Sequence, residues 1–238
     1  MTGSAQGIGK EFTLALAEAG ADVAIIDINL DTAQASAKEI SQTTEQKVIA
    51  LKADITDPED VNDVVDKIVE EFGTIDIAGM TDNTPAEEMS LDSWNKLMNL
   101  NLNAVFLSTQ AAGKIMIKNG GGSMINTASI SGHIVNVPQP QVSYNASKAD
   151  VIHLSKSIAI EWAEKNVRFN TISPDYMGTE LLQSDELKSL VEKWADITPM
   201  KRIGDLEELK GIAVYLASED SSYTTASDFI LDGGYTAI

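Results

Sequence analysis

Tyr144 and Lys148 stand four residues apart in the stretch SISGHIVNVPQPQVSYNASK, residues 129–148, and residues 149–158 carry an apolar helical period. On a helix, positions four apart share a face, so this spacing sets a phenol beside an ammonium. A positive neighbour favours the phenolate and lowers a tyrosine pKa from its ordinary value of about 10. A tyrosine tuned in that way exchanges a proton with an alcohol or a carbonyl near neutral pH. Ser129 follows the strand-like run at 123–128, which puts a further hydroxyl within reach of the reacting oxygen. Taken alone, the pair is better read as an exposed tyrosine and lysine on a helix surface, so its surroundings decide.

Those surroundings begin with Gly3-Ser4-Ala5-Gln6-Gly7-Ile8-Gly9 and a helical run at 11–20. A Gly-rich turn opening a helix suits a pyrophosphate, because backbone N–H groups and the helix dipole face the anion. A short strand at 21–27 ends in Asp27, close to the ~20-residue separation expected of a ribose-binding acid in a dinucleotide fold. A turn residue after a strand is the plainer account of Asp27. An Asp-capped amphipathic helix at 31–43, a strand at 47–54 and a helix at 57–73 with proline at its start follow. Strands alternating with helices of this length predict parallel βαβ units. A capping signal at Ser90 opens a long helix reaching Lys118; beyond the catalytic stretch come a strand at 166–175, a helix at 205–217 and a last strand at 227–234.

Composition narrows the function. The chain has 238 residues, 43% of them hydrophobic, enough for one domain with a sizeable core. Net charge is −19, from 36 acidic against 17 basic residues, which argues against nucleic acid and anionic membrane as partners. There is no cysteine, and His133 and His153 are the two histidines, so no metal site is expected. No apolar run approaches a membrane span and no signal peptide is evident, so the expected location is cytoplasmic.

TGSAQGIG at 2–9, YNASK at 144–148 and LDGG at 231–234 together resemble the short-chain dehydrogenase/reductase family, and the resemblance covers essentially the whole chain. It implies a doubly wound Rossmann-type α/β fold, one domain over 1–238 with a substrate lid inserted at about 176–204. The implied reaction is hydride transfer between a nicotinamide and a secondary alcohol or ketone. Tyr144 is then the proton donor and acceptor, Lys148 lowers its pKa and holds the nicotinamide ribose, and Ser129 orients the carbonyl oxygen. Asn101 aligns with an asparagine that supports a proton relay, although Asn99 and Asn103 lie close by. Gly3, Ser4, Gln6, Gly7, Ile8 and Gly9 match the coenzyme turn. Asp27 and Ile28 match the ribose position, Asp54 and Ile55 the adenine position, and Pro174 and Thr179 the nicotinamide end. His133 and Gln139, in the loop before Tyr144, are candidates to touch a hydroxylated substrate; so are Leu181, Leu182, Leu190 and Trp194 of the lid. Ser131 is expected to bond locally. Trp162 is expected either at a subunit contact or in the core.

The preferred coenzyme is NAD over NADP, because Asp27 accepts from both ribose hydroxyls but faces a 2′-phosphate with like charge, and no lysine or arginine nearby offsets it. The catalytic loop most resembles polyol dehydrogenases of the arabinitol, sorbose and mannitol type, so a sugar alcohol and its ketose are the expected pair, in a homotetramer or homodimer. A broad carbonyl or ketoacyl reductase is the alternative enzyme, and a catalytically silent dinucleotide-binding relative the alternative class. Three departures support the last. Met1 stands alone where the family has a first strand, the family's Asn pair is missing from a stretch shortened at residues 75–80, and Asp175 replaces a glycine. The first two lead to the expectation that the sequence is an incomplete record of a longer natural one. Asp175 is expected to weaken coenzyme binding and to need tolerance of positive φ.

Overall fold

The computed structural model describes residues 1–71, 83–184 and 187–238, and the side chains within them apart from 69–71, 181 and 183. Its helices are α1 (Gly7–Glu18), α2 (Leu30–Thr44), α3 (Pro58–Glu71), α4 (Leu91–Met98), α5 (Ala104–Asn119), α6 (Val142–Trp162), α7 (Lys188–Ile197) and α8 (Lys210–Ala217). Strands β1 (Val23–Asp27) and β2 (Val48–Lys52) pair in parallel. A second parallel group has the order β3 (Gly122–Thr127), β4 (Val167–Pro174) and β5 (Asp228–Leu231). Every described pairing is parallel and every connection passes through at least one helix, the arrangement of an α/β doubly wound fold.

The strands read as apolar runs because both of their faces are covered. In β1, Val23 and Ile25 pack with Ala33, Ala37 and Ile40 of α2, while Ala24 and Ile26 pack with Val64 and Ile68 of α3. On the second group, Met124 and Phe169 meet Met116 of α5 and Ile158 of α6. Ile172 turns the other way, towards Phe12 of α1 and Leu216 of α8.

Met1 belongs to that last cluster, and its backbone completes the edge of β1. Its amino group donates to the Ala24 carbonyl at 2.7 Å, Ile26 N–H donates to the Met1 carbonyl at 2.8 Å, and Thr2 bridges Ile26 in parallel. The few residues before the Gly-rich turn therefore cover an edge that the sequence had left open. The shortened stretch at residues 75–80 lies outside the described residues.

Two helices differ from their sequence-based bounds. α2 is capped by Asn29, whose side-chain oxygen accepts from Thr32 N–H at 3.2 Å, and not by Asp31, which lies in the first turn where the helix dipole favours a carboxylate. The long helix begun at Ser90 is interrupted by a π-helical turn, Asn99–Asn103, between α4 and α5. Such a turn carries one residue more than the α-helical ladder accommodates, and turns of this kind concentrate at functional sites. Trp162, half-buried at the end of α6, packs within the chain: a Cβ at Gly113 of α5 would come within 2.2 Å of its ring.

Candidate active site

The ends of β3 and β4, the start of α6 and the segment containing α7 enclose a chamber of about 220 Å³. Ser129, Ser131, Gln141 and Tyr144 line one side, and Asn83, Asn136, Gln139, Asp175 and Tyr176 also face it. Leu182, Leu187, Leu190 and Trp194 supply the apolar wall. The α7 wall is fixed by aromatic contact: Trp194 stacks on Tyr176 with ring centroids 3.8 Å apart and planes 7° apart, and its indole N–H donates to Gln139 Oε1 at 3.4 Å.

Each member of the Ser–Tyr–Lys set has a local reason for its place. Ser129 caps a short 3₁₀ turn, Ile130–Gly132; its hydroxyl accepts from Ser131 N–H and donates to Ser131 Oγ, both at 3.1 Å. Ser131 accepts in turn from Gln141 Nε2 at 3.3 Å, the local bonding expected of it. Tyr144 and Lys148 lie on the same face of α6, with the ammonium 5.6 Å from the phenol ring centroid. Lys148 is buried and donates to the Thr127 carbonyl at the end of β3, 2.9 Å away. Asn101, from the π-helical turn, is buried and donates to Ser147 Oγ at 3.1 Å, tying α6 to the α4–α5 junction.

The electrostatics differ from the sequence expectation. Burial pushes the Tyr144 phenol above its ordinary value, the neighbouring Ser129 hydroxyl pulls it down, and Tyr176 adds to the rise. Burial also lowers the Lys148 ammonium to about 8. The downward pull expected from Lys148 is therefore not what dominates Tyr144 here. Desolvation disfavours phenolate and ammonium alike when each is considered alone, and it outweighs their attraction across this separation.

A second crevice, also of about 220 Å³, is lined by Gly3, Ile26, Asp27, Ile28, Ala53, Asp54, Ile55 and Leu100, beyond the carboxyl ends of β1 and β2. Ligands of doubly wound sheets bind at such strand ends. Asp27 is held by backbone N–H groups, from Ala5 to Oδ2 at 3.3 Å and from Asn29 to Oδ1 at 3.0 Å. Asp54 accepts from the hydroxyl and the backbone N–H of Thr56, and these bonds hold its carboxyl below the ordinary range. Gly3 and Gly7 have positive φ, and a Cβ at Gly9 would lie 2.6 Å from the Gly3 carbonyl oxygen. The turn is thus built to bring backbone N–H groups close to a ligand at the start of α1, and the crevice suits the adenosine half of a dinucleotide. Thr179 approaches the same turn, its methyl 3.9 Å from where a Cβ on Gly7 would sit.

The remaining sequence candidates differ in how the fold holds them. The Ser4 hydroxyl is buried and donates to the Met1 carbonyl at 2.7 Å, Gln6 is exposed, and Ile8 packs against the core. Pro174 is the buried last residue of β4. Gln139 lines the chamber, but His133 does not: its Nε2 lies 2.6 Å from Asp228 Oδ2, on the side of β5. The loop turns through the 3₁₀ segment after Ser129, which carries His133 away from the chamber. Leu182, Leu190 and Trp194 line it as expected, and the Leu181 side chain is outside the described set. Asp175 lies outside the positive-φ residues, so no glycine-like backbone is required there. Asn136 and Tyr176 were not singled out from the sequence; Tyr176, two residues beyond Pro174 at a strand exit, carried the better signal.

Residues 3–236 match a family model described as enoyl-(acyl carrier protein) reductase. A sorbose reductase of Candida albicans is 43% identical, over 99% of this chain and 85% of its own. A protein described as a probable NADP-dependent mannitol dehydrogenase of Yarrowia lipolytica is also 43% identical, over 99% of this chain and 86% of its own. A D-arabinitol 2-dehydrogenase (ribulose-forming) of Candida albicans is 39% identical, over 99% and 91%. Among solved structures, a short-chain type dehydrogenase/reductase from Mycobacterium marinum superimposes with a TM-score of 0.94 at 41% identity, over 100% of this chain and 94% of that one.

Proposed function

Because the chain belongs to the short-chain dehydrogenase/reductase family, we propose that it interconverts a sugar alcohol and its ketose, using Ser129, Tyr144 and Lys148. The observation that carries this reading is the convergence of Ser129 and Tyr144 on one enclosed chamber, with Lys148 beside the phenol. The names of the sorbose, mannitol and arabinitol relatives support the substrate class.

In the oxidising direction Tyr144 removes the proton from the substrate hydroxyl, and in the reducing direction it returns one to the carbonyl oxygen. Ser129 turns its hydroxyl from Ser131 to donate to that oxygen and holds it against the phenol. Lys148 keeps its positive charge below about pH 8 and stabilises the phenolate as it forms. Asn101 supports the proton path by fixing Ser147, one residue before Lys148. The leucines and Trp194 of the 176–204 segment act as a lid that excludes water while charge develops. The nicotinamide coenzyme, when bound, accepts or supplies the hydride. The turn at Gly3, Gly7 and Gly9 would hold its pyrophosphate, with Asp27 on the adenosine ribose, Ile28, Asp54 and Ile55 at the adenine, and Lys148, Pro174 and Thr179 at the nicotinamide end.

We favour NAD(H) as the coenzyme. Among the described residues lining the crevice the ionisable side chains are the carboxylates Asp27 and Asp54, with no lysine or arginine to meet a 2′-phosphate. The mannitol relative carries an NADP-dependent name, so coenzyme choice is a direct test of how Asp27 acts.

The deciding assay follows nicotinamide absorbance with pentitols and hexitols, with their ketoses, and with an acetoacetyl thioester. Polyol oxidation is expected with NAD at a kcat/KM at least ~10-fold above that with NADP, a difference of about 1.4 kcal/mol. Y144F is expected to lower kcat by roughly 10²- to 10⁴-fold, the usual contribution of general acid–base catalysis. Faster turnover of the thioester would transfer the chain to the ketoacyl reductases. Dinucleotide binding without turnover of any substrate would make it a silent relative.

A further inference from the structure

Among the described residues, Ser108 Oγ, Asn136 Oδ1, Ser143 Oγ and Asp175 Oδ1 are buried polar side-chain atoms without a hydrogen-bond partner. Two of the four, Asn136 and Asp175, line the chamber into which Ser129 and Tyr144 open. Between them stands Tyr176, whose hydroxyl oxygen accepts from Asn136 Nδ2 at 3.0 Å and from Gln139 Nε2 at 3.2 Å. With both amides donating to it, the Tyr176 hydroxyl keeps its own proton, which meets no acceptor among the described residues. The polar groups nearer Tyr144 engage one another instead: Ser129 with Ser131, and Gln141 with Ser131 and Asn145. A buried acceptor left unmet retains the full cost of its lost hydration. Asn136 and Asp175, both on the chamber wall, thus each carry a buried oxygen that no described group satisfies, and Tyr176 keeps a hydroxyl proton to donate.

Asp175 gains no counter-charge from behind. It also borders a second cavity of about 370 Å³, lined in part by Arg202, Glu208 and Asp232. Arg202 is committed to Glu208 through two bonds of 2.7 Å. The Asp232 carboxylate is taken up by Gly234 N–H, Thr236 N–H and the Thr236 hydroxyl. Burial, with Asp232 adding to it and the Tyr176 backbone N–H opposing, pushes the Asp175 carboxyl up to about 7. Tyr144 shares the chamber lining with it, and Tyr176 and Tyr235 lie within its electrostatic reach.

We propose that Asn136, Asp175 and Tyr176 form a hydroxyl-reading subsite, with Asp175 its specificity-determining residue, which recognises the hydroxyls of a polyhydroxylated substrate beyond the carbon held at Tyr144. The assignment rests on the polyol reading above and adds to it the side chains that do the reading. A polyol brings donors for both unmet oxygens and an acceptor for the Tyr176 proton. A simple secondary alcohol brings nothing beyond its reacting hydroxyl, and a site built to hydrogen-bond a hydroxyl discriminates strongly against an analogue that lacks it.

The test compares wild type, Asp175→Gly, Asp175→Asn and Asn136→Leu, measuring kcat/KM for a hexitol, a pentitol and 2-butanol at saturating coenzyme. The ratio of polyol to 2-butanol efficiency is expected to fall at least ~10-fold in Asp175→Gly and Asn136→Leu, mainly through the polyol KM. Asp175→Asn, which keeps an acceptor oxygen, should recover part of the loss. NADH titration and a thermal melt on each variant establish that it is folded, and Asp175→Asn with Asn136→Leu decides if the glycine variant is not. Ratios within twofold of wild type, alongside good wild-type polyol turnover, overturn this subsite and leave the proposed function standing. A wild-type enzyme that oxidises 2-butanol but no polyol overturns both.

Discussion

The ionisation of Asp175 bears on stability. Its carboxyl holds a proton up to about pH 7 in the folded chain, against about 3.8 for the ordinary side chain. Between those two values the folded state binds more protons than the unfolded one, so stability falls as pH rises through that window and levels off above pH 7. Asp175→Asn removes the titration. The melting temperature of this variant relative to wild type should therefore rise from pH 5 to pH 8; a constant difference across that range would show that Asp175 ionises at its ordinary pH. Lys148 runs in the opposite sense. Its charge is penalised by burial below about pH 8, and the penalty is relieved as pH rises towards 10.5. The same burial that weakens each charge alone makes the phenolate and ammonium depend on one another once a substrate excludes water.

At the scale of elements, one π-helical turn and one regular helix bear on the site. The π-helical turn at Asn99–Asn103 carries Asn101 to Ser147 of α6. Helix α7 is tied to the chamber wall by Trp194, through its stack on Tyr176 and its bond to Gln139. Stacked aromatic pairs contribute about 0.5–1.5 kcal/mol beyond the area they bury. Trp194→Ala is accordingly expected to raise the substrate KM severalfold or more while NADH affinity changes by less than about twofold, because Trp194 lines the catalytic chamber and not the adenosine crevice. Equal weakening of both ligands would mean that α7 supports the whole fold and not the lid alone.

At the scale of the molecule, a net charge of −19 opposes the approach of an anionic dinucleotide. Long-range repulsion of this kind is screened by salt, with a Debye length of about 30 Å at 0.01 M and about 8 Å at 0.15 M. The NADH association rate should therefore rise with ionic strength over that range; a fall, measured by stopped-flow fluorescence, would reveal a local positive field at the crevice strong enough to overcome the net charge. The sequence alone determined the class of fold, because strands buried on both faces and helices buried on one leave periodic patterns that do not depend on distant residues. It determined the Gly-rich turn before α1 and the side-by-side placement of Tyr144 and Lys148 for the same reason, since a tight glycine turn and a one-turn helical spacing are local geometry. Tertiary structure decided what depends on enclosure and on loops. It closed the edge of β1 with Met1 and Thr2, turned His133 towards Asp228, and brought Asn136 and Tyr176 beside Gln139. It also reversed the expected direction for Tyr144, because desolvation is set by residues far apart in the chain that meet only in the folded protein.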